Sequence, residues 1–182
     1  MIWWRRTPHA AKIDALYGTI VAQARLPAFY AAYGVRDSVE GRFEMLVLHQ
    51  ALVARRIARE PETRPLGPIL FERFCRDLDD NLREMGVGDL TVPKKMRAFA
   101  EAYLGRARAY DRALDAHDRD ACAAAVARNV FGIATVGAGA KRLAHYMEEA
   151  ARTLEMLDAS ALLRGAVQFP DPMSIPITIA AA

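Results

Sequence analysis

Apolar residues recur at three- and four-residue intervals along almost the whole chain, which is the spacing of amphipathic α-helices. We find no convincing β-hairpin pattern and no internal repeat. The sequence therefore predicts an all-α fold, a single compact multi-helix domain of about six or seven helices, over residues 1–165. Residues 166–182 contain three prolines and predict an extended C-terminal tail that lies along the surface.

Start and stop signals divide the first part of this pattern. Thr7–Pro8 predicts a helix start, and Pro27 predicts the end of that first helix. The stretch "PAFYAAYG" predicts a short helical turn closed by Gly34. Asp37, with Glu40 three residues later, resembles a capping box. The helix that follows has a broad apolar stripe, so we expect it to be central and buried on more than one side.

The second part of the pattern contains longer helices. The stretch "RPLGPI" interrupts the chain, and a regular helix is predicted from Ile69, with an apolar stripe that includes Phe71 and Met85. After "DAHDRD" an alanine-rich helix is expected from Ala121 to about Phe131. The last long helix carries an apolar stripe over Leu143–Leu157, and "DASALLRG" predicts one further turn.

The segment Asn81–Met96, "NLREMGVGDLTVPKKM", joins two helical patterns and is unusually rich in distinct residue types. We call it the corner segment. Gly86 and Gly88 predict the end of the first helix, because glycine adopts the left-handed conformation at little cost. Thr91 and Pro93 predict the N-cap and first turn of the next helix.

Composition bounds the class of protein. The chain has 182 residues, of which 53% are hydrophobic and 26% charged, so it can bury a core and is not globally disordered. The net charge of +3 is too small to indicate nucleic acid, and we expect no DNA partner. Cys75 and Cys122 are far apart, which predicts two small buried hydrophobes in a reducing, cytoplasmic setting.

Membrane insertion and export are not expected. The uncharged run Asn129–Ala140 is shorter than the roughly 20 apolar residues that a spanning helix needs. No apolar run follows Arg5–Arg6, so we expect no secretion signal. Trp3–Trp4 either packs on the domain or contacts a membrane surface. The predicted location is cytoplasmic, with peripheral contact at the inner face of the plasma membrane left open.

The sequence contains none of the common motifs for catalysis, cofactors or metals. "GVGD" is not a phosphate-binding loop, and no GxSxG or paired Glu-x-x-His motif occurs. His145 and Glu149 are spaced for an ion pair or half a metal site. The acidic stretch "RDLDDN" predicts a solvated face with an Arg76–Asp80 ion pair. A lone His49 in an apolar helix predicts a hydrogen-bonded core residue, and we expect no enzyme activity, metal or cofactor.

Charge is distributed unevenly along the chain. Residues Glu72–Asp89 contain six acidic and three basic residues, whereas Val92–Arg112 contains six basic and two acidic residues. One interpretation is that the two helices neutralise one another or simply face water. The other is a bipolar surface whose basic groups bind RNA, a ribosome or anionic lipid.

Two long blocks of sequence resemble the ubiquinol-cytochrome c chaperone family: "ARLPAFYAAYGVRDSVEGRFEMLVLH" and "FERFCRDLDDNLREMGVGDLTVPKKMRAFAEAYLGRARAYDRAL". The resemblance spans roughly Tyr17–Phe131 and weakens afterwards. Mitochondrial members carry a longer N-terminal extension, so this chain resembles the compact bacterial form. Residues that match include Arg25, Pro27, Tyr30, Gly34, Asp37, Arg42, Glu44, His49, Asp77, Asp79, Gly86, Gly88, Pro93, Lys94, Lys95 and Arg106.

The resemblance implies a non-enzymatic function in assembly of the cytochrome bc1 complex. Mitochondrial relatives act near the ribosome with a small partner protein and hold newly made cytochrome b. The resemblance therefore implies an assembly chaperone that binds nascent or newly inserted cytochrome b. One alternative is a ribosome- or RNA-associated factor for cytochrome b synthesis without client contact, and another is an unrecognised metal-dependent helical enzyme.

The resemblance also suggests that the corner segment is a rigid turn that presents charges to the client or the ribosome. The competing hypothesis is that Arg83 and Glu84 form buried structural ion pairs. His49 and His145 are conceivable haem ligands, but no CxxCH motif occurs and we expect none. The candidate client- or partner-binding residues are Arg42, Glu44, His49, Asp80, Arg83, Glu84, Asp89, Lys94, Lys95, Arg97 and Arg106.

Overall fold

Eight α-helices make up most of residues 10–176, the part of the chain that the computed structural model describes. No β-strand occurs among these residues, which confirms the all-α prediction. Six helices are long, two have five residues each, and a 3₁₀ turn lies at Pro172–Ser174. The helices are α1 (Ala10–Ala24), α2 (Pro27–Ala31), α3 (Val39–Arg59), α4 (Leu66–Glu84), α5 (Val92–Asp115), α6 (Arg119–Asn129), α7 (Ala138–Glu155) and α8 (Ala159–Leu163).

Helix α3 lies at the centre of the fold. It contacts α1, α4, α5 and α7, so apolar residues around most of its circumference are buried. This confirms the expectation of a central helix buried on more than one side. Because it is surrounded, α3 also buries polar side chains that need partners, namely Glu44, His49, Gln50 and Arg56.

The start of α3 differs from the prediction. Ser38, not Asp37, is the N-cap, and its hydroxyl accepts a hydrogen bond from the Gly41 amide at 3.2 Å. Asp37 is unavailable as a cap because its carboxylate binds the Arg42 guanidinium at 2.6 Å. The first turn also requires a glycine, since a Cβ at Gly41 would lie 2.0 Å from the Arg36 carbonyl oxygen.

Two other helices begin earlier than the apolar pattern indicates. Helix α4 starts at Leu66, three residues before Ile69, because Pro68 falls in the first turn, where its missing amide proton costs no helical hydrogen bond. Helix α6 starts at Arg119, where the Asp118 carboxylate caps it by accepting from the Ala121 amide at 2.9 Å. The predicted extra turn is confirmed as α8.

The described part of the tail, residues 166–176, packs into the domain as well as lying along its surface. Phe169 and Ile175 are 9% and 5% exposed, and both belong to the core cluster. The Tyr33 hydroxyl donates to the Pro172 carbonyl at 2.6 Å, and the Gln23 amide donates to the Pro170 carbonyl at 3.1 Å. The tail is therefore held by both apolar burial and hydrogen bonds.

The predictions for Thr7–Pro8, Trp3–Trp4 and Arg5–Arg6 fall outside residues 10–176, as do the last six residues of the tail. Within residues 10–176, no helix combines the length and the low polarity that crossing a bilayer requires.

Candidate interaction surface

The corner segment changes direction through a helix end of the kind that the sequence predicts. Helix α4 ends at Glu84, and Gly86 follows in the left-handed region with φ +78°. The Val87 amide then donates to the Leu82 carbonyl at 3.0 Å, which closes the turn. Gly88 keeps an ordinary φ, so only the first of the two glycines carries the predicted left-handed conformation.

The start of α5 agrees with the predicted position, though not with the predicted capping bond. Thr91 is the N-cap residue and Pro93 lies in the first turn. The Thr91 side chain makes no capping hydrogen bond. Instead the amides of Thr91 and Val92 both donate to the Gly88 carbonyl, at 2.8 and 3.2 Å, so backbone bonds hold this end of the corner segment.

Arg83 connects the two sides of the corner segment. Its Nε lies 2.6 Å from Asp79 Oδ2, one turn back on α4, and its Nη1 pairs with the Asp89 carboxylate beyond the turn. These two carboxylates raise the pKa of Arg83, and the main cause is the hydrogen bond that Arg83 donates to Asp79. Arg83 is 47% exposed and Glu84 is exposed, so the hypothesis of buried ion pairs at these residues is wrong.

The remaining charges on the corner segment and directly beside it face solvent without local partners. Asp80 and Glu84 on α4 form no ion pair with any residue between 10 and 176. The same holds for the exposed cations at the start of α5, which are Lys94, Lys95 and Arg97. These two groups therefore do not neutralise one another by direct pairing: the unpaired acidic groups precede the turn, on α4, and the unpaired basic groups follow it, on α5.

Other ion pairs of α4 also run away from α5. Arg73 Nε lies 2.8 Å from Asp14 Oδ1 on α1, and Arg76 Nη2 lies 3.3 Å from Glu72 Oε1 within α4. Arg76 therefore pairs with Glu72 rather than with the predicted Asp80. Asp77, predicted as part of a solvated face, is half-buried and accepts from the Tyr17 hydroxyl at 2.9 Å.

Glu44 and Arg106 form a two-pronged ion pair between α3 and α5. The Arg106 Nε and Nη2 atoms lie 2.7 and 2.6 Å from the two carboxylate oxygens of Glu44. Glu44 is 9% exposed, and this burial raises its carboxyl pKa in spite of the opposing effect of Arg106. These two predicted site residues join helices and face each other rather than a partner.

His49 is fully buried and its two ring nitrogens are both bonded. Nδ1 donates to the Met45 carbonyl at 2.7 Å, so Nε2 accepts from the Tyr146 hydroxyl at 2.9 Å. Burial lowers the pKa of His49 to about 4, which keeps the ring neutral. The ring of Phe169, from the tail, packs edge-on against it at 5.2 Å. His49 is thus the hydrogen-bonded core histidine that the pattern predicts.

The predicted site residues therefore separate into distinct groups. Seven lie on the corner segment or directly beside it in sequence, two form the buried ion pair, and His49 lies in the core. Arg42 lies at the start of α3, where it binds Asp37 beside a shallow cleft that Arg25 and Tyr30 also line. The seven are Asp80, Arg83, Glu84, Asp89, Lys94, Lys95 and Arg97.

The sequence interpretation missed two apolar residues on the same segment. Met85, expected to continue the buried stripe of α4, is 65% exposed, and Leu90 is 98% exposed. Met85 turns outward because α4 ends at the preceding residue. A signal for Leu90 was present, since a lone leucine in a short turn bounded by Gly88 and Pro93 has no helical face to join.

Side chains that could bind a metal do not cluster in the described residues. No cluster of three or more His, Cys, Asp or Glu side chains suited to a metal occurs between residues 10 and 176. His145 Nε2 lies 3.9 Å from Glu149 Oε1, one helical turn along α7. A second cleft, near Arg55 and His117, contains arginines that already bind Asp115.

Comparisons with known proteins give a family and a fold. The family model described as ubiquinol-cytochrome C chaperone matches residues 31–169. The crystal structure of the Cbp3 homolog from Brucella abortus is similar, with a TM-score of 0.83 and 36% sequence identity. This match covers 91% of the present chain and 92% of the Brucella chain. No curated protein sequence matched the chain at a significant level.

Proposed function

Because the chain belongs to the ubiquinol-cytochrome C chaperone family, we propose that it binds newly made cytochrome b and promotes assembly of the bc1 complex. The observation that carries this proposal is the family match over residues 31–169. The similarity of the whole fold to the Brucella Cbp3 homolog supports it. The chaperone family and its fold favour a role without catalysis or a bound cofactor.

A chaperone for a membrane protein needs a surface that is accessible on a stable scaffold. The corner segment offers such a surface, because the ion pairs of Arg83 and the left-handed Gly86 hold its path between two long helices. We assign client contact to its exposed charges, with Arg42 as a separate contact. Glu44, Arg106 and His49 support the scaffold beneath.

Cytochrome b is a membrane protein, so the proposed place of action is the cytoplasmic face of the plasma membrane. The protein would meet the client as it leaves the ribosome or soon after insertion. Peripheral contact with the membrane surface, and with the ribosome, would be made through the exposed basic residues at the start of α5, Lys94, Lys95 and Arg97.

The test is a strain that lacks the gene, compared with wild type and with a strain in which the gene is restored. Reduced-minus-oxidised spectra of the membranes measure the b-type and c1 haem of the bc1 complex. We expect a specific loss of the bc1 b-type signal that the restored gene reverses. Unchanged b and c1 signals in the deletion strain would contradict the proposed function.

A ribosome- or RNA-associated role is the second candidate, favoured by the unpaired Lys94, Lys95 and Arg97. Basic residues that bind phosphates release counterions, so such binding weakens steeply with salt. Co-sedimentation of the protein with ribosomes at low and high salt measures this. Salt-sensitive sedimentation without any cross-link to cytochrome b would favour this role over that of a client-binding chaperone.

A further inference from the structure

We propose that Met85 and Leu90 form an apolar anchor that docks a polypeptide segment of the client between two groups of opposite charge. The segment would carry apolar side chains for the anchor, a basic group facing the end of α4 and an acidic group facing the start of α5. This inference rests on the proposed function and adds the residues and the chemistry of the contact.

The first support is the exposure of the two apolar side chains. Leu90 is 98% exposed and Met85 is 65% exposed, and only four residues separate them in sequence. A side chain as exposed as Leu90 adds nothing to the core, so core packing does not account for it. Single exposed apolar residues are common on protein surfaces, but two on one short turn form the nucleus of a contact patch.

The second support is the way the turn is held. Arg83 pairs with Asp89, the residue directly before Leu90, and also with Asp79 on α4. The two amides that follow Leu90 donate to the Gly88 carbonyl. Leu90 therefore projects from a turn that is held by an ion pair before it and by backbone hydrogen bonds after it. A preformed projection loses less conformational entropy on binding than a free loop does.

The third support is the charge on either side of the anchor. Between residues 79 and 97 the chain has as many acidic as basic residues, and those without partners lie on opposite sides of the turn. A uniformly anionic surface, such as a lipid bilayer or RNA, would be attracted by one side and repelled by the other. A polypeptide can place a basic and an acidic residue where each is matched, so it fits this surface better.

The experiment restores the deletion strain with variants of the full chain. The test variant is Met85→Ser/Leu90→Ser, and the matched control is Met156→Ser, since Met156 is 75% exposed at the end of α7. We expect both purified proteins to melt like the parent. We expect the control to restore the bc1 b-type haem signal and the test variant to fail. A bait peptide from cytochrome b should bind the test variant about thirtyfold more weakly, the change expected for loss of one hot-spot residue.

A photo-activatable amino acid at position 90 or 156 gives a second readout that does not depend on assembly. We expect a cross-link to cytochrome b from position 90 and none from position 156. Full restoration by the test variant, or a cross-link to lipid only, would overturn the anchor while leaving the proposed function standing. Unchanged haem signals in the deletion strain would instead contradict the proposed function itself.

A Lys94→Glu/Lys95→Glu variant tests the charge arrangement separately. Both lysines are exposed and form no ion pair with residues 10–176, so the variant should fold normally. The bait peptide has an acidic residue next to its apolar side chains, and we expect the variant to bind it more weakly than the parent protein does. Changing that acidic residue of the peptide to lysine should restore its binding to the variant. Equal binding of both peptides to both proteins would overturn the assignment of α5 as the side that faces an acidic group.

Discussion

Removing the charge of Arg106 should destabilise the fold in a way that depends on pH. In an Arg106→Met variant the stem of the side chain is kept, but the Glu44 carboxylate, 9% exposed, loses both of its partner nitrogens. Breaking one side of a buried ion pair costs about 3–5 kcal/mol. The Arg106 side chain is 22% exposed, so we expect a loss of about 3 kcal/mol in the free energy of unfolding, the lower end of that range.

The pH dependence follows from the sign of the Glu44 pKa shift. Burial already raises this pKa in the folded parent protein, and loss of Arg106 removes the main group that lowers it. A carboxyl whose pKa is raised by folding binds its proton more tightly in the folded state, so it destabilises the fold as pH rises. The penalty of the Arg106→Met variant should therefore be largest at pH 7 and smaller near pH 4.5, where the side chain takes up a proton.

The assay is urea unfolding of the parent and the variant at both pH values, followed by circular dichroism. Arg108→Met is the control, because Arg108 is exposed on the same helix and forms no ion pair with residues 10–176. We expect its free energy of unfolding to stay within about 0.5 kcal/mol of that of the parent protein. Adding Glu44→Gln to the Arg106→Met variant should recover part of the loss. An equal loss at both pH values would refute the reasoning, since it would mean that packing, not charge, supplies the stability.

Two further predictions concern the scaffold. Folding lowers the pKa of His49 to about 4, so as pH falls the unfolded chain takes up a proton on this histidine before the folded chain does. The free energy of unfolding should therefore fall by about 3 kcal/mol as pH drops from about 6.5 to about 4. In a pH series of urea titrations, His49→Gln should flatten this part of the curve. Gly41→Ala should lower the melting temperature, because its methyl group would meet the Arg36 carbonyl. Gly105→Ala lies in open space on α5, so its free energy of unfolding should rise by about 0.5–1 kcal/mol. Equal shifts in the melting temperatures of both variants would contradict the close approach at Gly41.

Much of the fold follows from local patterns that the sequence displays directly. The apolar spacing of the long helices, the broad stripe of α3 and the turn at Gly86 each depend on neighbours in sequence, so they can be predicted. The start of α3 could not, because Asp37 and Ser38 are both good caps and the choice depends on Arg42. Burial of Phe169 was also missed, since an extended tail has no helical period to indicate its inner face.

The candidate surface was predictable in position but not in detail. The sequence does not show whether a charged residue faces solvent or another charged residue. Glu44 and Arg106, 62 residues apart, could therefore not be recognised as a pair. The exposure of Met85 depends on α4 ending one residue earlier than its apolar stripe suggests. Such details need the three-dimensional arrangement, because helix ends are set by single hydrogen bonds and long-range pairs.

The most direct test of the central claim is the lifetime of newly made cytochrome b. Pulse-labelling of wild-type and deletion strains, followed by a chase and immunoprecipitation, separates synthesis from survival. A client-binding chaperone predicts that cytochrome b is labelled at the normal rate in the deletion strain but then disappears faster and does not enter the bc1 complex. Normal survival and assembly of labelled cytochrome b in the deletion strain, or a defect confined to its synthesis, would contradict the account.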